Sequence, residues 1–312
     1  MVPSHLKGRH FLRINDWSPP DLLLLVDLAD RLKAERRERT PHELLPGRRL
    51  GMIFEKPSLR TRVSFEVGMA DLGGTAVHLG MSDIGLGERE SIRDTALVLS
   101  RYLDAIMIRA FRQSDVGALA AQATVPVVNG LTDEFHPCQA LADVMTIRER
   151  FGELEGVRVA YLGDGNNVCH SLMVACAKLG ASVVVAAPAG HEPAADVVEW
   201  TRAAARDSGA EVTIVRDPDR AAEDADVLYT DVWTSMGQET DRERRRRSFE
   251  GFTLDDRVLD LASDRAVVMH CLPAHVGEEI AETSLYGPRS AVWDQAENRL
   301  HAQKALLAAI VP

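Results

Sequence analysis

Short apolar runs alternate with helix-length stretches along the whole chain, and the alternation restarts once, near the middle. In the first half, a helical stretch over residues 20–35 leads to a strand at 50–54, a helix at 62–72 and a strand at 75–79. A glycine-rich loop at 81–87 precedes a helix at 90–102 and strands at 105–108 and 125–128. The second half repeats the scheme with strands at 157–162, 182–187, 211–215, 227–230 and 266–269, and helices at 168–179 and 193–208. Strands spaced roughly 25–30 residues apart, with helices between them, are joined by crossovers rather than hairpins. The pattern predicts an α/β fold of two domains, each a parallel sheet flanked by helices. One boundary falls in a helix over 139–150. The last helical stretch, 298–310, is long enough to return to the first half, so the expected domains are 1–146 plus 295–312, and 147–294.

Length and charge narrow the function. The 312 residues are 46% hydrophobic and 27% charged, normal for a soluble globular chain. A formal net charge of −11 argues against non-specific binding of nucleic acid or of an anionic membrane, which call for a basic face. Five arginines lie between 242 and 247, interrupted by Glu243, and read as a solvated helix face. The four cysteines, Cys138, Cys169, Cys176 and Cys271, form no CxxC pair, which points to a reducing compartment. The run from Leu22 to Leu28 is short and broken by aspartate, so it is not a membrane span. With no apolar leader at the start, a cytoplasmic location is expected.

Ligands of open parallel sheets bind beyond the carboxyl ends of the strands, and the unusual polar residues cluster there. Ser58-Leu59-Arg60-Thr61-Arg62 joins the first strand to its helix. Two guanidinium forks and two hydroxyls at a helix start suit a phosphate. The turn has no glycine, so it is not a nucleotide P-loop. Arg109 follows the strand at 105–108, and Asn129 through His136-Pro137-Cys138-Gln139 follows the next. In the second half, Asp164, Asn166 and Asn167 follow Leu162. The segment Asp231–Gly237 follows Tyr229, and His270-Cys271-Leu272-Pro273 follows Met269. Three such clusters per half predict an active site in an interdomain cleft.

These motifs, together with Ala296-Glu297-Asn298-Arg299, give the chain an end-to-end resemblance to the aspartate/ornithine carbamoyltransferase family. The Asp231–Gly237 and His270–Pro273 segments resemble the members that use ornithine. The resemblance implies a carbamoyl-phosphate-binding first domain, an ornithine-binding second domain, and a homotrimer or a multiple of trimers. It assigns Ser58, Leu59 (through its backbone), Arg60, Thr61, Arg109, His136 and Gln139 to carbamoyl phosphate. It assigns Asn167, Asp231, Ser235, Met236, Cys271 and Leu272 to ornithine. Arg60, Arg109, His136, Cys271 and Arg299 would surround the reacting centre. No metal or other cofactor is implied. In such a transfer, arginines and hydroxyls neutralise the phosphate while donors meet the developing oxyanion. Gly237 and the arginine-rich stretch after it would form a flap that excludes water.

Three positions depart from the common family pattern. Leu59 stands where threonine is usual. Gly85 stands where a glutamine often reaches a neighbouring subunit, a contact that Glu88 or Arg89 would have to replace. Val276 stands where arginine is frequent. The main rival reading is the half-match to a dinucleotide fingerprint in Gly163-Asp164-Gly165-Asn166-Asn167-Val168. Val168 replaces its third glycine, and the next strand ends at Pro188 without an acidic residue for a ribose. A non-catalytic protein on the same fold, and putrescine or an N-acylated ornithine as acceptor, are further alternatives. Cys169 and Cys176 read as core, His270 as a supporting residue, and no His/Cys/Asp set has zinc spacing.

Overall fold

Parallel strands buried on both faces are written as unbroken apolar runs, and the two sheets are built that way. The computed structural model describes residues 3–80, 90–234 and 239–312. The chain divides into two units, Met1–Met145 with Asn298–Pro312, and Thr146–Glu297. Both divisions fall inside helices, Pro137–Phe151 and Val292–Ile310.

In the first unit, Pro19–Arg37 (α1) starts where Ser18 caps the helix by accepting from Asp21 N at 3.3 Å, with proline at the opening position. Arg49–Phe54 (β1), Leu59–Asp71 (α2), Thr75–Gly80 (β2), Ile92–Tyr102 (α3), Ala105–Arg109 (β3), Gln113–Gln122 (α4), Val127–Leu131 (β4) and Pro137–Phe151 (α5) follow. The sheet has the order β2-β1-β3-β4, with every pair parallel. Strand β3 is buried throughout, whereas edge strand β2 is half-exposed.

In the second unit, Arg158–Leu162 (β5), Asn167–Lys178 (α6), Ser182–Ala186 (β6), Ala195–Ser208 (α7), Val212–Val215 (β7), Pro218–Ala222 (α8), Val227–Thr230 (β8), Arg242–Ser248 (α9), Asp256–Leu259 (α10), Val267–His270 (β9) and Glu282–Tyr286 (α11) form a second parallel sheet, ordered β7-β6-β5-β8-β9. Val292–Ile310 (α12) ends the chain in the first unit.

Both sheets reverse their strand order once, between β1 and β3 and between β5 and β8. At such a switch point the connections leave on opposite faces, which opens a crevice at the strand ends. The Ser58 turn and Arg109 end the strands of the first switch point. Asn166–Asn167 and Asp231 end those of the second.

The strands expected from sequence are all present, with shifted limits. β4 begins at Val127, not 125, because Pro126 has no N–H for the ladder; its carbonyl still accepts from Ile106 N at 2.9 Å. It continues through Asn129, whose amide is satisfied inside the unit by Leu12 O and Gln113 Oε1. Helix α4 supplies a crossover that the alanine- and glycine-rich run did not announce, and α12 starts six residues before the expected 298.

Candidate active site

In the first unit, Ser58 caps α2. Its Oγ accepts from Thr61 N at 3.3 Å and donates to Thr61 Oγ1 at 3.1 Å. The cap turns the first helical amides outward, and Leu59 occupies the opening position with its side chain exposed. Thr61 is buried and accepts from Arg299 Nη2 at 3.4 Å. Arg299, also buried, donates through Nη1 to Gln139 Oε1 at 2.7 Å. The Gln139 amide is oriented from its far side, where Nε2 donates to the buried Asp143 carboxylate at 2.8 Å. Arg109 is buried at a register shift in the β3–β4 ladder. A shift of this kind re-aims a strand-end side chain.

His136 lies at the start of α5, whose Gln139 and Ala140 amides donate to its carbonyl. Its ring is buried. Burial first, and then the charges of Arg299, Arg109 and Arg60, hold its pKa well below 6.5. His136 is therefore a neutral imidazole ringed by three guanidinium groups, a donor rather than a cation. The loop before it is tied by Thr132, whose Oγ1 donates to Gln113 Oε1 at 2.8 Å and accepts from Phe135 N at 3.1 Å.

Thus Ser58, Thr61, Arg60, Arg109, His136, Gln139 and Arg299 fall in one neighbourhood. Arg62, the second fork of the turn, points elsewhere and pairs with Glu66 one helical turn on, at 2.9 Å. Glutamate four residues away is a sequence signal for that pairing. Gly85, Glu88 and Arg89 lie outside the described residues.

In the second unit, Asn166 caps α6 by accepting from Val168 N and Cys169 N at 3.0 and 3.1 Å. Its Nδ2 donates to Asp231 Oδ2 at 2.8 Å. The other carboxylate oxygen of Asp231 accepts from Cys271 Sγ at 3.0 Å. Asp231 is buried and Cys271 partly exposed; Asn167, at the first position of α6, is half-buried. Leu272 has a left-handed backbone (φ 61°), and its N–H donates to His270 Nδ1 at 2.8 Å. The opposite ring nitrogen of His270 therefore faces the buried Glu279 carboxylate as a donor, at 3.2 Å. Ser235, Met236 and Gly237 lie outside the described residues.

Gly165 bears on the dinucleotide rival. A Cβ there would lie 2.3 Å from Pro193 N, so the glycine admits a neighbouring loop of its own chain. The five-arginine run also differs from a uniformly solvated face. Arg245 is buried, donates to Trp233 O and forms an ion pair with Asp164, which also meets His191 Nδ1 at 3.4 Å. The other four arginines are exposed. Asp164 nevertheless has its pKa raised, mainly by burial against the opposing pull of Arg245. The equal appearance of five arginines hid this one. The N-cap asparagine, in contrast, had a visible signal in its position just before an apolar helix.

Among the described residues, the set with ligand atoms close enough for a metal is His275, Glu278 and Glu279. Glu278 is already ion-paired with Arg242 at 2.6 Å and Glu279 hydrogen-bonded to His270. No described helix is long and apolar enough to cross a membrane.

Two crevices at strand-order switch points, one lined by arginines around a neutral histidine and the other by a carboxylate and a thiol, define an α/β enzyme class that handles an anion and an amine. Family models match on both sides. Residues 9–149 match the aspartate/ornithine carbamoyltransferase carbamoyl-P binding domain, and residues 155–310 match the Asp/Orn binding domain of the same enzymes. The chain belongs to the aspartate/ornithine carbamoyltransferase family. It is 53% identical over 311 residues to the ornithine carbamoyltransferase of Pyrococcus horikoshii, covering 100% of this chain and 98% of that one. It is 55% identical over 299 residues to that of Acidothermus cellulolyticus, covering 96% and 95%. The solved ornithine carbamoyltransferase of Pyrococcus furiosus superposes with a TM-score of 0.96 at 52% identity, covering 98% of each chain.

Proposed function

We propose that this chain transfers the carbamoyl group of carbamoyl phosphate to the δ-amine of L-ornithine, giving L-citrulline and phosphate. The observation that carries this reading is the convergence of Arg60, Arg109 and Arg299 on the neutral, buried His136. Like charges gathered at a buried site call for an anion, and carbamoyl phosphate is one whose carbonyl also needs donors. Ser58, the Leu59 backbone, Arg60, Thr61 and Arg109 take the phosphoryl oxygens, while His136, Gln139 and Arg299 address the carbamoyl group. As the amine lone pair attacks the carbonyl carbon, negative charge moves to its oxygen. Donors already in place stabilise it there without reorganising. The C–O bond to phosphate then breaks, and the amine loses a proton.

In the second unit, Asp231 receives the α-ammonium of ornithine, and Asn167 with the Met236 amide receives its carboxylate. Ser235 adds a hydroxyl. Cys271 and Leu272 flank the δ-amine. The relative from Pyrococcus furiosus is called anabolic, which supports the citrulline-forming direction here. An assembly of three copies, or a multiple of three, belongs to the same proposal. Exposed Val77, Leu97, Val98 and Tyr102 supply apolar surface for it to cover, and light scattering measures it. Four free cysteines support a cytoplasmic setting.

The test compares citrulline-type product formation from carbamoyl phosphate with ornithine, putrescine and N-acetylornithine. Ornithine should be preferred, and Arg60→Lys should lose most activity because a point charge cannot replace a planar fork. Equal turnover of putrescine, which lacks the α-carboxylate, would remove the roles given to Asn167 and Met236.

A further inference from the structure

The assignments above leave Asn166 unused, yet its side chain makes four hydrogen bonds, one of them to Asp231. Its Oδ1 accepts from three donors: Val168 N at 3.0 Å, Cys169 N at 3.1 Å and the hydroxyl of the fully buried Tyr161 at 3.2 Å. Helix amides can only donate, so the oxygen must face α6 and the Nδ2 must face away from it. The Nδ2 donates to Asp231 Oδ2, while Cys271 Sγ donates to Oδ1. The amide orientation is thus dictated by the helix start, and the amide in turn fixes the plane of the Asp231 carboxylate. Tyr161 stacks on Tyr229, one residue before the end of β8, with ring centres 5.7 Å apart, so the brace is anchored in the neighbouring strands β5 and β8.

We propose that Asn166 is a positioning residue. It couples the N-terminus of α6 to the Asp231–Cys271 pair, so that Asp231 presents one oxygen to the thiol while the amide occupies the other. On the proposed function, on which the ornithine part of this inference rests, Asn166 sets ornithine affinity and the placement of Cys271 without touching carbamoyl phosphate.

Two variants separate this role from simple capping. Asn166→Ser and Asn166→Asp both keep an oxygen that can cap the helix. Serine is too short to reach Asp231, and aspartate places a carboxylate against a carboxylate. Both should fold, Asn166→Ser melting close to wild type and Asn166→Asp lower because its carboxylate faces that of buried Asp231. The KM for ornithine should rise about tenfold in Asn166→Ser and more in Asn166→Asp, since a like charge replaces a donor. The KM for carbamoyl phosphate should stay within about twofold.

A second readout needs no substrate. Cys138, Cys169 and Cys176 are buried, with the Cys138 thiol pushed up to about 12, so iodoacetamide reports on Cys271. Its alkylation at pH 7.5 should be several-fold faster in Asn166→Ser, where the carboxylate is no longer held under the thiol. Wild-type rates of alkylation together with unchanged ornithine KM in both variants would overturn the proposal and leave Asn166 as a cap only. Faster alkylation with unchanged ornithine KM would uphold the brace and refute the assignment of Asp231 to ornithine.

Discussion

His136 should make this protein lose stability on mild acidification, because burial and its neighbouring guanidinium groups keep the folded ring neutral. Its ring stays neutral because burial and three nearby guanidinium groups oppose a proton, whereas in the unfolded chain it titrates near 6.5. Between the lowered folded value and 6.5, the unfolded chain binds a proton that the native one refuses. Stability therefore falls as pH falls, beginning at the unfolded value. A group protonated only when unfolded costs about 0.1 kcal/mol at pH 7.5 and about 1.4 kcal/mol at pH 5.5, a difference of about 1.3 kcal/mol. For a chain of this size that is about 2 °C in melting temperature. The variant His136→Gln keeps a neutral donor and removes the titration. Melting curves of both proteins at pH 7.5 and 5.5 give four temperatures. The wild-type drop should exceed the variant's by about 2 °C. His10, whose pKa is lowered by burial, acts equally in both and cancels. Equal drops would mean that the folded His136 accepts a proton, and the neutral-donor role would fall with it.

The remaining expectations can be tested together. The δ-amine of ornithine should behave like a lysine of pKa ~10.4, so kcat/KM for ornithine should climb roughly tenfold per pH unit on the acid side; a flat profile from about pH 6 to pH 9 would show that selection of the neutral amine is not limiting. Arg245→Met should destabilise by about 2 kcal/mol because it takes the guanidinium from largely covered Asp164 and leaves it only His191 Nδ1 at 3.4 Å, and adding Asp164→Asn should restore most of the loss; urea titrations of the single and double variants decide it. Gly165→Ala, with its Cβ 2.3 Å from Pro193 N, should cost about 2 kcal/mol in the same measurement, whereas no loss would mean that the 192–193 backbone gives way easily.

Sheet type and strand positions were legible because a buried parallel strand has no polar face to disguise it, as in the valine run of β6. Limits were less legible where one residue overrode the pattern, as Pro126 does in β4 and as the alanine- and glycine-rich α4 does with its weak apolar signal. The phosphate turn announced itself as a cluster of charges and hydroxyls, whose residue types alone did not separate Arg60 from Arg62, although the family resemblance singled out Arg60. The structure separates them, because α2 turns Arg62 toward Glu66. Long-range partners were the least legible. Asp164 behind Arg245 pairs residues 81 positions apart that no local spacing encodes, whereas Asp143 behind Gln139 sits at a four-residue helical spacing.

The two reversals of strand order give both units helix starts that present backbone N–H groups to a ligand, and by themselves those would attract the same anions. What differs is the sign of the side chains set among them. Arg60, Arg109 and Arg299 add to the backbone's positive field in the first unit, whereas Asp231 opposes it in the second. A phosphate that strays to the second crevice meets a carboxylate, and a free ammonium that strays to the first meets guanidinium groups. On the proposed function, mistaken occupancy would thus be discouraged before any shape is read, so each crevice would stay open to its own ligand even when the other compound is abundant.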